Sequence, residues 1–196
     1  MTRGMLVAGI GNIFLSDDGF GVEVVSRLAG AELPDGVRVT DYGIRGMHLA
    51  YDLASGYDCA ILIDAAPRGD TPGTVYVIEP DLAPVPAAAG AAGAQPAQDA
   101  GATADSEGGP AGSPFFDAHG MQPDVVFGML EQLAGRRPDR ILVVGCEPAS
   151  VDYGMGLSEP VTAAVDEAVR IVLSLVAEHA PGRQPAAGPG HLLGEE

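Results

Sequence analysis

The order of apolar and amphipathic segments predicts a three-layer α/β/α fold, with a five-stranded mixed sheet, mostly parallel with one antiparallel strand, between its helices. Three observations carry this. Short apolar runs alternate with segments of helical periodicity from residue 5 to residue 65, the pattern of parallel strands joined by right-handed crossovers. One later apolar run follows a connection too short for a crossover helix. A long amphipathic segment, "SEPVTAAVDEAVRIVLSLVAEHA", closes the patterned part of the chain.

Met5–Ala8 is an apolar run bounded by glycines, as suits a strand buried on both faces. In "FGVEVVSRLA", Val22, Val25 and Leu28 recur at helical intervals and predict the first helix. "GVRVTDYG" alternates and predicts a second strand ending at Asp41; "IRGMHLAYDLAS" predicts a second helix through Met47, Leu49 and Leu53. "YDCAILIDAAP" is the most apolar strand and ends at Asp64. "APRGDTPG" then connects to "TVYVIE". Parallel neighbours need about a dozen connecting residues, so this fourth strand is expected to run antiparallel. "PDVVFGMLEQLAG" predicts a helix with Pro123 in its first turn, and "DRILVVGCEP" the last strand.

These elements read as one domain over 1–180, long enough to bury a substantial core. It is interrupted at about 82–114 by a tract of Ala, Gly, Pro and Gln, which offers too little apolar surface to offset its ordering entropy and is predicted to be disordered. The tail, 181–196, reads the same way. With 27 acidic and 10 basic residues the formal net charge is −17, so nucleic acid and anionic membranes are poor partners. Cys59 and Cys146 sit in apolar segments as buried thiols, not as a disulfide framework. Neither a signal peptide nor an apolar run of about 18–20 residues is found, which predicts a cytoplasmic chain.

"GIGNIFLSDDGFG", Gly9–Gly21, begins like a dinucleotide-binding loop, but Phe14 stands where the third glycine belongs. Asp17 and Asp18 occupy the helix entrance, where their charge opposes a phosphate. Asp41 is able to imitate the acid that holds a ribose hydroxyl, so a dinucleotide enzyme stays open as an alternative. Asp18, Asp41 and Asp64 follow the carboxyl ends of the first three strands, the edge where open parallel sheets bind ligands. With strand order 2-1-3, Asp18 faces Asp64. A partly buried Asp64 requires a cation, a hydrogen-bond donor or a metal. His119, in "FFDAHGMQPD", precedes a helix whose loop can reach the same edge, whereas His48, His179 and His191 fall in a helix, at a helix end and in the tail. Two carboxylates and an imidazole suit a divalent transition metal.

The segments "GIGNIFLSDDGFG", "DYGIRGMHL", "ILIDAAPRGDTPGTV", "DAHGMQPDVV" and "VVGCEPASVDYGMGLSEPV", in this order over residues 4–180, resemble the nickel-iron hydrogenase maturation endopeptidases. The resemblance implies a phosphorylase/hydrolase-like α/β/α fold. It also implies cleavage of a C-terminal extension from the hydrogenase large-subunit precursor after nickel insertion. The nickel, supplied by the precursor rather than permanently bound, is expected on Asp18, Asp64 and His119. Asp41 matches a further acid of the cleft, so the expected catalytic set is Asp18, Asp41 and Asp64. No Ser-His-Asp or Cys-His arrangement is visible, so hydrolysis must use water, with Asp41 or Asp17 shaping the cleft or assisting the water. A nickel-checking chaperone without catalysis is the other alternative.

Overall fold

The computed structural model describes residues 4–80, 130 and 137–180. His119, the 82–114 tract and the 181–196 tail lie outside the described residues, as does the helix expected from Pro123 onward, except for Leu130, which is helical and buried.

The strands are β1 (Met5–Ile10), β2 (Val37–Gly43), β3 (Cys59–Ala65), β4 (Val75–Ile78) and β5 (Arg140–Cys146), arranged in one sheet as β2-β1-β3-β5-β4. β2, β1, β3 and β5 are parallel, and β4 pairs antiparallel with β5, as its short connection requires. Among the described residues the complete helices are α1 (Phe20–Leu28), α2 (Gly46–Ala54) and α3 (Glu159–His179). Among the described residues no helix is long and apolar enough to cross a membrane.

Both sheet faces are covered. Alternation along β1 and β3 sends Met5, Val7, Ile61 and Ile63 toward α1 and α3, and Leu6, Ala8, Ala60 and Leu62 toward α2 and Leu130. Every residue of β1 and β3 is buried, which explains their unbroken apolar runs. In α2, Leu49, Ala50 and Leu53 make the inner face; Met47, expected there, lies on the outer side.

The ends of the strands differ slightly from expectation. β2 continues past Asp41 to Gly43 because the β1–β2 register shifts: Gly9 pairs with Asp41, but Ile10 pairs with Gly43. This extra residue is a bulge. It turns Tyr42 into the α2-side core, where its hydroxyl donates to Asp52 Oδ2 at 2.5 Å. β3 likewise runs one residue past Asp64.

α1 packs unusually close to the sheet. A Cβ on Gly21 would lie 2.1 Å from the Ile63 carbonyl oxygen and 2.4 Å from that of Ile10. Gly21 thus supplies the close helix–strand approach that a dinucleotide loop takes from its third glycine.

Candidate functional site

At the carboxyl edge, Gly11 turns the chain out of β1 with φ 126°, and a Cβ there would meet the Asp18 carbonyl oxygen at 1.8 Å. Only glycine allows this turn. It folds the loop back so that the Asn12 amide donates to Asp18 Oδ2 at 2.7 Å. An amide that a phosphate-binding loop would offer to its ligand is thereby given to a side chain, which counts against the dinucleotide alternative.

Asp18 lies in a single 3-10 turn, Ser16–Gly19, packed against β3. Its neighbour across the edge is Asp64, which is 3% exposed. Burial pushes the Asp64 carboxyl well above the ordinary aspartate range, and the adjacent Asp18 charge adds to the rise, against a hydrogen bond from the Ala65 amide. The structure therefore brings the expected Asp18 and Asp64 together. A half-buried acid against a buried one is a donor set suited to a cation.

Asp41 stands apart from this pair. Val37 and Val39 pack against the α1-side core, so alternation places Asp41 on that face, whereas Asp64 follows Ala60 and Leu62 to the α2 face. β1 runs between them, making their strands roughly 10 Å apart. Asp41 is exposed and lines an open groove of about 330 Å³ with Ile13, Phe14, Val22 and Ile44. A second groove of about 280 Å³, between Ile13, Val22 and Met155, adjoins it. Ile13, Phe14, Ile44 and Met155 are all exposed large apolar residues at this edge.

Asp17 has a different task from Asp18. It exposes no surface, and its two oxygens accept four hydrogen bonds: from the Ala149 and Ser150 amides at 2.8 and 3.1 Å, and from the Ser158 hydroxyl and amide at 2.9 and 2.6 Å. Burial alone would raise its pKa, but the bonds from Ser158, Ser150 and Ala149 together outweigh it, and the net shift is downward. No side-chain cap is made at the start of the 3-10 turn or of α1, so helix capping does not account for the acidic pair.

Sequence reasoning missed Glu147. Nearly buried after β5, it accepts the Arg68 and Gly69 amides at 2.7 and 3.1 Å. Its backbone joins in, with Gly73 donating to its carbonyl and its own amide donating to Thr74. These bonds clamp the loop that follows Asp64. The available signal was an acid directly after a strand, as with Asp64, but its partners lie 78 and 79 positions away.

Both cysteines are buried, and burial raises Cys59 to about 11 and Cys146 to about 12, far from a thiolate nucleophile at neutral pH. Among the described residues no cluster of three His, Cys, Asp or Glu side chains could hold a metal ion; the expected third ligand, His119, lies outside them.

Comparison with known proteins gives a consistent result. The family model for hydrogenase maturation protease matches residues 22–94. The hydrogenase expression/formation protein HupM of Azotobacter chroococcum is 34% identical over 191 residues, which covers 96% of this chain and 79% of that protein. A putative hydrogenase maturation protease of Methanocaldococcus jannaschii is 31% identical, over 87% of this chain and 95% of its own length. The solved structure of the hydrogenase maturating endopeptidase HybD from E. coli aligns with a TM-score of 0.64 at 25% identity, covering 92% of this chain and 98% of that one. Sharing about a third of its residues with such relatives along most of their length, and the fold of the solved endopeptidase, this chain belongs to the hydrogenase maturation protease family.

Proposed function

We propose that this protein is a cytoplasmic endopeptidase that removes a C-terminal extension from the nickel-loaded large-subunit precursor of a nickel-iron hydrogenase. The observation that carries the reading is the Asp18–Asp64 pair. A buried carboxyl beside a second acid costs free energy in the free protein. That cost is offset when a cation arrives, so the pair is built to recognise one.

In this reading the nickel belongs to the substrate and is held by Asp18, Asp64 and His119. Support for the third ligand comes from Leu130, eleven positions beyond His119 in the sequence, which packs in the core on the α2 face, the side to which Asp64 alternates. Nickel bound there supplies Lewis-acid polarisation of the scissile carbonyl. The peptide lies over the end of β1, between the acid pair and Asp41. Asp41 shapes the cleft or assists the attacking water from the far side of that strand; Asp17, with four donors on its carboxylate, is not available for that part.

The test incubates the protein with nickel-loaded and nickel-free precursor and weighs the products. Loss of a C-terminal peptide from the loaded form alone is expected, and Asp64→Asn should reduce the rate by about a hundredfold or more, as loss of a group that contacts the reacting centre does. A precursor left intact in both forms would favour a nickel-checking chaperone. Thermal protection by a nicotinamide or flavin cofactor, but not by nickel, would overturn the proposal.

A further inference from the structure

The geometry points to Asp17 as a positioning residue for Asp18, fixing the carboxylate that faces Asp64 by tying the 3-10 turn to the loop between β5 and α3. Its relevance to nickel recognition rests on the function proposed above; the positioning itself does not.

Three observations support it. First, the turn is held to that loop through both its side chain and its backbone. Besides the four bonds to its side chain, the Asp17 amide donates to the Ser150 carbonyl at 3.1 Å, and the Ser16 amide donates to that of Gly154 at 2.9 Å. Ser16, at φ 48°, keeps a left-handed conformation unusual for a non-glycine residue, which persists only where surroundings hold it. Second, Ser158, the N-cap residue of α3, makes no side-chain cap and gives both its hydroxyl and its amide to Asp17. Third, Asp18 follows Asp17 directly, and its Oδ2 is aligned on the Asn12 amide. Movement of the turn shifts Asp18 away from Asn12 and Asp64 together.

An anchor for α3 alone would also explain Asp17 hydrogen bonds, so the test separates anchoring from positioning. Amide hydrogen exchange is measured at Asn12, whose N–H reports directly on the place of the Asp18 carboxylate, in the wild type, Asp17→Asn and Val165→Ala. Val165 is fully buried on α3, away from the turn, and its truncation lowers stability without touching Asp17. Asn12 exchange is expected to rise about tenfold in Asp17→Asn and to stay near wild type in Val165→Ala. Should Asp17→Asn not fold, Ser158→Ala removes one donor from Asp17 and is expected to give a smaller rise in the same direction. Unchanged Asn12 protection in a folded variant overturns the inference.

Cobalt(II) binding, followed by its visible absorption, gives a second readout. Asp17→Asn is expected to weaken it by about 10–100-fold, the usual effect of removing a group that orients a ligand. Equal affinity in variant and wild type counts against positioning. If the free wild type binds no cobalt, Asn12 exchange by itself decides the role of Asp17.

Discussion

Asp17 and Asp64 are buried acids with opposite electrostatics, and they respond oppositely to pH. Asp64 has a raised pKa in the folded state. Below about pH 4 it is protonated whether folded or not and has no net effect; as pH rises, the unfolded chain ionises freely while the folded chain bears the cost. Asp64→Asn should therefore raise the melting temperature of the metal-free protein at pH 7, at about 2–4 °C per kcal/mol for a chain of this size, and the gain should vanish toward pH 4. Thermal unfolding across pH 4–8 checks this. Asp17, with its pKa lowered, stabilises above the ordinary aspartate range, and that contribution is lost as pH falls through its folded-state value. Asp17→Asn should cost about 3 kcal/mol near neutral pH, by loss of charge-assisted bonds to a buried group, with the cost shrinking in acid. The sequence offers both residues as plain aspartates; the donors around Asp17 and the Asp18 charge beside Asp64 distinguish them.

At the scale of elements, contacts between strand and helix backbones decide where the edge loops go. Gly21→Ala would drive a Cβ into two carbonyl oxygens of β3 and β1. It should cost about 3 kcal/mol, at the upper end of overpacking effects, as measured by urea denaturation. Glu147 does comparable work for the β3–β4 connection. Glu147→Gln can keep one acceptor for the Arg68 and Gly69 amides but loses the charge, and should cost about 1–3 kcal/mol. Faster amide exchange at Arg68 and Gly69 would localise the effect. The strands and helices of this framework were legible because their period was legible: β1 and β3 as continuous apolar runs, α1 and α3 as amphipathic repeats. The bulge at Tyr42 was not, since the register shift arises from pairing with β1 and leaves no mark in the composition of β2.

For the molecule as a whole, a net charge of −17 in a chain of 196 residues means self-repulsion in the folded state. Surface ion pairs exist, such as Arg140 with Glu79 and Arg27 with Glu23 and Asp166, but each is exposed and of small effect. Raising sodium chloride from about 10 mM to 200 mM shortens the Debye length from roughly 30 Å to below 10 Å. It should raise the melting temperature, by scanning calorimetry, while changing the hydrogen bonds of Asp17 little, because that carboxylate is itself buried.

The sequence by itself determined the sheet, the antiparallel fourth strand, the family and the acids of the carboxyl edge, because hydrophobic period, connection length and motif order are local properties. The tertiary structure decided what each acid does. It set Asp18 against Asp64, placed Asp41 on the other face of the sheet, and committed Asp17 and Glu147 to backbone amides far along the chain. A carboxylate's role follows from the desolvation and donors around it, and those come from segments that meet only when the chain folds.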